Sequence, residues 1–319
     1  MPFKTGKLIW RLFVSQLRKQ ALVTGHRGFI GRHFFKALME GGYDVLGADI
    51  WRENGICYPE DNAHYWYSRG GERFDVVIHA AAAAPNRLAI DTEPQNFMTN
   101  VQLDAAFIKY MAQHPESKGL YFSSSAVYPL ELQDADSQWK LKEQFVRDDA
   151  YAHYSPADVY GWTKFFGERM ATHAIRAGAD IRIVRPFSGY GEDQSDKHPF
   201  MAIMKRVFDK EMPIEIWGDG RQVRDWIHVD DIVGASLRIL QQPYFGPINL
   251  GTGRGVSMTE LARMGAKLLG YEPEFKFLRD KPNGVSYRVS NSNKMHKIRV
   301  PRVSLEEGIA RAMDHLAAA

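Results

Sequence analysis

No run of 18 apolar residues occurs in the chain, so no segment is long enough to span a bilayer as a helix. A single cysteine, Cys57, excludes an intrachain disulfide and a cysteine metal cluster, and it fits a reducing, cytoplasmic setting. An excess of one charge is missing too, with 41 Lys and Arg against 38 Asp and Glu. The first twenty residues hold five of those cations and no acid, which leaves the remainder at 36 against 38. So balanced a body lacks the basic face that nucleic-acid binding requires. Internal repeats and low-complexity linkers are also absent. What is present is a globular composition, 45% hydrophobic and 25% charged, which excludes disorder and fibrous repeats. The 319 residues suffice for one large α/β domain or two smaller ones sharing a crevice.

Residues 1–20 form a basic, partly apolar extension with Leu8, Ile9, Trp10, Leu12, Phe13, Val14 and Leu17. Arg11 interrupts the apolar stretch and no small-residue cleavage site follows, so a secretory signal is not expected. A membrane-surface helix and an extra packed helix both remain open readings.

From Gln20 onward the pattern becomes regular. Strands are expected at Ala21–Thr24, Tyr43–Asp49, Phe74–His79, 118–123 and 180–185, with helices near Gly31–Glu40, 95–113 and 156–177. This alternation indicates βαβ units around a doubly wound parallel sheet. Residues 21–185 are therefore read as a dinucleotide-binding domain. Residues 186–319 are read as a smaller, interleaved substrate cap, with segments near 225–252 returning to the sheet. The small-residue run Ala80–Ala84 is read as a place where backbones pack closely.

The segment Thr24-Gly25-His26-Arg27-Gly28-Phe29-Ile30-Gly31 sets glycines three apart between a strand and a helix. The first glycine permits the turn, the second lets backbone N–H groups reach a pyrophosphate, and the third lets the helix pack on the strand. Asp49 follows eighteen residues after Gly31, at the strand end where a carboxylate accepts both hydrogen bonds from an adenosine ribose. The same charge repels a 2′-phosphate and favours NAD. Arg27 and Arg52 leave NADP open, because both could pair with that phosphate.

Tyr160-Gly161-Trp162-Thr163-Lys164 places a phenol and an ammonium four residues apart on one helix face. The ammonium stabilises phenolate and makes tyrosine a usable base below its ordinary pKa of about 10. Ser123-Ser124-Ser125-Ala126-Val127-Tyr128 follows the strand Gly119–Phe122, which puts a serine hydroxyl at the mouth of the sheet.

Taken in order, these motifs resemble the extended short-chain dehydrogenase/reductases of the nucleotide-sugar epimerase/dehydratase family. Later segments agree with it: Arg185-Pro186-Phe187-Ser188-Gly189-Tyr190-Gly191, Gly218-Asp219-Gly220, Arg224-Asp225-Trp226-Ile227-His228-Val229-Asp230-Asp231 and Asn249-Leu250-Gly251-Thr252-Gly253. The resemblance implies Ser124 as the hydrogen-bond partner of the reacting oxygen, Tyr160 as acid/base, and Lys164 as tuner and ribose ligand. It implies a dinucleotide held by Gly25, Arg27, Gly28, Phe29, Ile30, Gly31, Asp49, Ile50, Arg52, His79, Ala80, Ala81, Ala82, Asn100 and Pro186, besides Tyr160 and Lys164. Ser124, Ser125, Ser188, Arg224 and Arg288 are implied for a nucleoside-diphosphate sugar, with the two arginines on its diphosphate. A homodimer through the two long helices flanking the catalytic residues is implied as well.

Departures from the family narrow the chemistry. The 4,6-dehydratases carry Asp-Glu after the catalytic Ser or Thr, where this chain has Ser125 and Ala126, so water elimination is not expected. His26-Arg27, Tyr128-Pro129 and Lys281-Pro282-Asn283-Gly284 look closest to the GDP-fucose synthases. His198 stands where those enzymes have a proton-transferring histidine, and its alternative reading is a loop residue before Pro199. Their cysteine position is Ala126 here, so their double epimerisation does not carry over. His33, His64, His114, His153 and His173 show no metal spacing and are read as surface or packing residues. His228 joins sheet and cap, and no metal is expected. Phe165, Phe166 and Met170 are expected in the core. The reading is an NAD(P)-dependent epimerase acting through a transient 4-ketone. Its alternatives are a one-way 4-keto-sugar reductase and a non-catalytic dinucleotide-binding regulator.

Overall fold

The computed structural model describes residues 18–50, 62–68, 72–83, 94–136, 138–146, 159–243, 246–281 and 284–319. Most of the N-terminal extension, together with Arg52, Cys57 and His153, lies outside the described residues. The first half runs β1 (Gln20–Thr24), α1 (Phe29–Glu40), β2 (Asp44–Ala48), α2 (Ala63–Ser68), β3 (Val76–His79), α3 (Pro94–Gln113), β4 (Lys118–Phe122), β5 (Lys140–Leu141), α4 (Val159–Arg176), β6 (Ile181–Pro186) and β7 (Ser188–Tyr190). The second runs α5 (Pro199–Phe208), β8 (Ile214–Trp217), β9 (Val223–His228), α6 (Val229–Ile239), β10 (Ile248–Leu250), β11 (Gly255–Ser257), α7 (Met258–Leu268), β12 (Phe275–Leu278), β13 (Tyr287–Ser290), α8 (Asn293–Ile298) and α9 (Leu305–Ala318).

Six strands form one parallel sheet in the order β10-β6-β4-β3-β1-β2. Both faces are covered, which is why β1, β3 and β4 are largely apolar runs, while β6 buries Arg182 and Arg185. On one face Ala21, Val23, Ile78, Leu120 and Val184 pack against Phe34 and Leu38 of α1 and Ile232 of α6. On the other, Leu22, Val77, Tyr121 and Ile183 pack against Phe107 and Met111 of α3 and Ala171 of α4. The order of strand addition reverses at β1: β2 lies on one side of β1 and β3 on the other. The crevice outside the carboxyl ends of these two strands is where α/β sheets bind ligands.

The C-terminal part builds its own core from α5, α7 and α9 around β8 and β9, with Met204, Ile214, Leu261 and Ala312 fully buried. It is nevertheless threaded into the first half, because β10 completes the large sheet and Met295 of α8 joins the core under α6. Charge also ties the two parts. Asp193 accepts from Arg32 Nε at 2.6 Å and lies 3.0 Å from His33 Nε2, so both α1 side chains reach the segment before α5. His33 is thus a hydrogen-bond partner of Asp193, unlike His114, which stacks on Tyr110 with ring centroids 4.1 Å apart. Phe165 is buried and Met170 partly so, but Phe166 is half exposed on the outer face of α4 and corrects the expectation that it sits in the core.

Candidate active site

Gly25 has φ +71, and a Cβ there would lie 2.7 Å from the Ala80 carbonyl carbon. The turn after β1 therefore lies directly on the small-residue segment after β3. Gly31 lies against the Gly25 carbonyl, so a side chain there would separate helix from turn. Gly28 is the N-cap of α1, contributes no side-chain cap, and no acid occupies the first helical turn. The N–H groups of Phe29, Ile30 and Gly31 have no intrahelical partner, and they form a cradle for a phosphate at the positive end of the helix. At the end of β2, Asp49 Oδ2 accepts the Arg27 backbone N–H at 3.0 Å, which fixes the carboxylate beside that turn. Ile50 next to it is exposed. These residues fit a dinucleotide. Asp49→Ala is expected to weaken NAD binding and to narrow its advantage over NADP, measured as the two dissociation constants in each form. A wild type that already prefers NADP would show that nearby arginines outweigh Asp49.

Two residues expected on the cofactor make close contacts within the protein. Asn100 clamps the loop after β3, accepting the Ala83 N–H at 2.7 Å and donating to the Ala83 carbonyl at 3.0 Å. The His79 side chain is 1% exposed and stacks on Phe107 at 4.7 Å. It is a core group, so His79 can line the crevice only through its backbone, alongside Ala80–Ala82.

The catalytic segments converge at the carboxyl end of β4. Ser124 caps a short 3-10 turn, Ser125–Val127, and its Oγ accepts the Ala126 N–H at 3.1 Å. That leaves the hydroxyl hydrogen to donate toward the crevice. Ser125 is buried inside the turn. Tyr160 and Lys164 share one face of α4, with the Lys164 Nζ 6.0 Å from the Tyr160 ring centroid. Lys164 itself is buried and lies 3.3 Å from Asp104 Oδ1 of α3.

What locks α4 to the strand ends is a buried ion pair. Glu168 accepts from Arg185 Nε at 2.7 Å and Nη2 at 2.6 Å, and its Oε1 also takes the Ser123 hydroxyl at 2.5 Å. Arg185 Nη1 goes on to the Glu143 carbonyl at 3.0 Å and the Tyr128 hydroxyl at 3.2 Å. One carboxylate therefore joins the helix carrying Tyr160, strand β6 and the residue next to Ser124.

On the cap side, Arg224 of β9 and Arg288 of β13 are register partners on neighbouring parallel strands. Arg224 Nη1 donates to the Val223 carbonyl at 2.9 Å. Arg288 Nε donates to Gln133 Oε1, and Gln133 Nε2 donates to the Tyr128 carbonyl at 2.8 Å. Gln133 thus couples the Ser124 segment to the cap. Ser188 pairs with Trp226 at the start of β7, directly after Pro186 and Phe187. Asp225 is fully buried and accepts N–H groups of Thr252, Gly253 and Ser290, which fixes the Gly-Thr-Gly loop and β13 against β9. His228 Nδ1 accepts the Asp230 N–H at 3.2 Å, and its Nε2 lies 3.0 Å from Glu192. It is a helix cap. His198 is the N-cap of α5, and burial pushes its imidazole pKa down, so it is neutral near pH 7.

Asp104, Glu168 and Gln133 carry much of this geometry without a motif to mark them. Asp104 left one signal: it is the sole acid between residues 94 and 113.

Relatives of known activity align over nearly the whole chain. GDP-L-fucose synthase of Escherichia coli (strain K12) is 26% identical over 92% of this chain and 95% of its own length. UDP-glucuronate 4-epimerase of Thermodesulfobacterium geofontis is 26% identical over 92% of this chain and 94% of its own. Among solved structures, UDP-N-acetylglucosamine 4-epimerase from Methanobrevibacter ruminantium superposes with a TM-score of 0.79 at 22% identity, covering 94% of this chain and 99% of that one. The model of the NAD dependent epimerase/dehydratase family matches residues 21–251, which include the glycine turn, Ser124, Tyr160, Lys164 and Arg224, and the chain belongs to that family.

Proposed function

We propose that the chain is an NAD-dependent epimerase that inverts C4 of a nucleoside-diphosphate sugar through a transient 4-ketone. The observation that supports this reading is Ser124 following β4, with Tyr160 and Lys164 on one face of α4, in a sheet that carries the glycine turn, and with Arg224 and Arg288 in register on the cap. When bound, NAD supplies a hydride acceptor and donor at the sugar carbon. Tyr160, as phenolate, takes the proton of the C4 hydroxyl as hydride leaves C4. It returns that proton to the alkoxide when hydride comes back to the other face. Ser124 donates a hydrogen bond to the same oxygen as its charge changes. The paired arginines hold the diphosphate while the sugar turns over. Mass spectrometry of the denatured protein tests the reading: released NAD supports an epimerase that recycles it. An empty protein that takes up NADPH supports a reductase.

The reductase is the second reading, favoured by the neutral, half-buried His198 and by relatives named GDP-L-fucose synthase and dTDP-4-dehydro-6-deoxy-D-allose reductase. A neutral imidazole can take a proton from a carbon beside a ketone. If His198 is such a carrier, deuterium is expected at C3 or C5 of the sugar after turnover in deuterium oxide, lost in His198→Asn while hydride transfer at C4 continues. With Ala126 in the cysteine position, exchange is expected at one carbon. Deuterium at neither, read by proton NMR, would confine the chemistry to C4 and make His198 a loop residue.

A homodimer fits the outer face of α3 and α4. Ala105, Ile108, Ala112, Met170, Ala174 and Ala177 line a shallow trough of about 550 Å³ there, flanked by Lys109, Arg169 and His173. A second copy of the same helix pair would cover it. Sedimentation at the dimer mass supports this, and a monomer contradicts it.

A further inference from the structure

The Asp104 carboxylate is fully buried, yet every neighbour it has is a donor. Tyr121 donates its hydroxyl to Oδ2 at 2.5 Å, His79 Nε2 lies 3.1 Å from Oδ1, and Lys164 Nζ lies 3.3 and 3.4 Å from the two oxygens. An ionised carboxylate only accepts, so Nε2 is the nitrogen of His79 that carries hydrogen. Nδ1 then accepts, from the Tyr67 hydroxyl at 2.9 Å or the Thr24 hydroxyl at 3.1 Å. The glycine at 167 makes room for this cluster, since a Cβ there would meet the Tyr121 hydroxyl and lie 2.9 Å from Asp104 Oδ2.

We propose that Asp104 is a positioning residue of the active site: its carboxylate is the counter-ion that keeps the Lys164 ammonium charged and in place beside Tyr160. This rests on Tyr160 being the proton carrier. An ammonium 2% exposed is shielded from bulk solvent, and without a partner a buried lysine gives up its proton. A neutral amine would no longer favour phenolate at Tyr160. The other ionisable groups facing the pair do not replace Asp104. Burial pushes the phenols of Tyr67, Tyr110 and Tyr121 up and the imidazole of His79 down, so all four are neutral near pH 7. Glu168 is committed to Arg185, and the imidazole of His64 can supply no negative charge. For Asp104 itself, burial alone would raise the carboxyl. The Lys164 ammonium and the bonds from His79 and Tyr121 outweigh burial and hold it below the usual carboxylate range.

The test needs no substrate. Tyrosinate absorbance of the full chain is titrated with pH, and the same titration of Tyr160→Phe is subtracted to isolate Tyr160. In the wild type Tyr160 is expected to ionise below the free value of about 10. In Asp104→Asn its midpoint is expected to rise by about one pH unit or more, and Asp104→Glu, which keeps the charge, should return most of the shift. A midpoint unmoved or lowered in Asp104→Asn overturns the proposal and makes Asp104 a merely structural group. If wild-type Tyr160 shows no step below the free value, the assignment of Tyr160 as base fails instead. Should Asp104→Asn not fold, Asp104→Asn/Lys164→Met removes the lone cation and is expected to fold. An unfolded double variant overturns the counter-ion role.

Discussion

Tyr160→Phe is expected to lower turnover by about 10³-fold, the size of the general acid–base contribution a single positioned group makes. The ring stays, so its packing on α4 stays, and only the atom that carries the proton is removed. Ser124 remains to hydrogen-bond the substrate oxygen, which is why some activity survives. Dinucleotide affinity should change little, because the glycine turn between β1 and α1 and Asp49 after β2 are left intact. Steady-state kinetics with a dissociation constant for NAD on each form checks both halves. A variant that keeps more than about a tenth of wild-type turnover would mean that Tyr160 moves no proton in the rate-limiting step.

Glu168→Gln should be the most destabilising single change near the site. Glu168 is fully buried and takes two guanidinium bonds and a serine hydroxyl. The glutamine leaves Arg185, which cannot shed its proton, as a lone cation in an apolar interior. Removing one partner of such a pair costs about 3–5 kcal/mol. Urea denaturation of both forms reads the loss, and Glu168→Gln/Arg185→Met is expected to recover much of it, since a buried pair replaced whole is often close to neutral. A loss below about 1 kcal/mol, within the range of an exposed pair, would show that the Arg185 charge finds water or another acid.

The large sheet was legible because buried parallel strands and amphipathic helices leave local patterns. The runs at 21–24, 74–79 and 118–123 correspond to β1, β3 and β4 within a residue or two. Glycine spacing and the turn it forms are equally local. The contacts that hold the site together are not. Asp104 meets Lys164 across 60 residues, Glu168 meets Arg185 across 17, and Arg288 meets Gln133 across 155. A chain read in order shows each as an isolated charge or amide, and only the packing of α3 on α4 and of β13 beside β9 reveals the partner. Phe166 shows the opposite limit, since an apolar residue beside a catalytic helix reads as core and is exposed.

Incubation with nucleotide sugars deuterated at C4, beginning with UDP-glucuronate, UDP-glucose and their GDP and dTDP counterparts, tests the epimerase reading most directly. NMR signals of the C4 epimer are expected for one of them, with deuterium kept at C4 in product and recovered substrate and no net consumption of added dinucleotide. Retention of the starting C4 configuration with all of them, together with stoichiometric oxidation of a reduced dinucleotide by a 4-keto sugar nucleotide, would contradict it and make the enzyme a reductase.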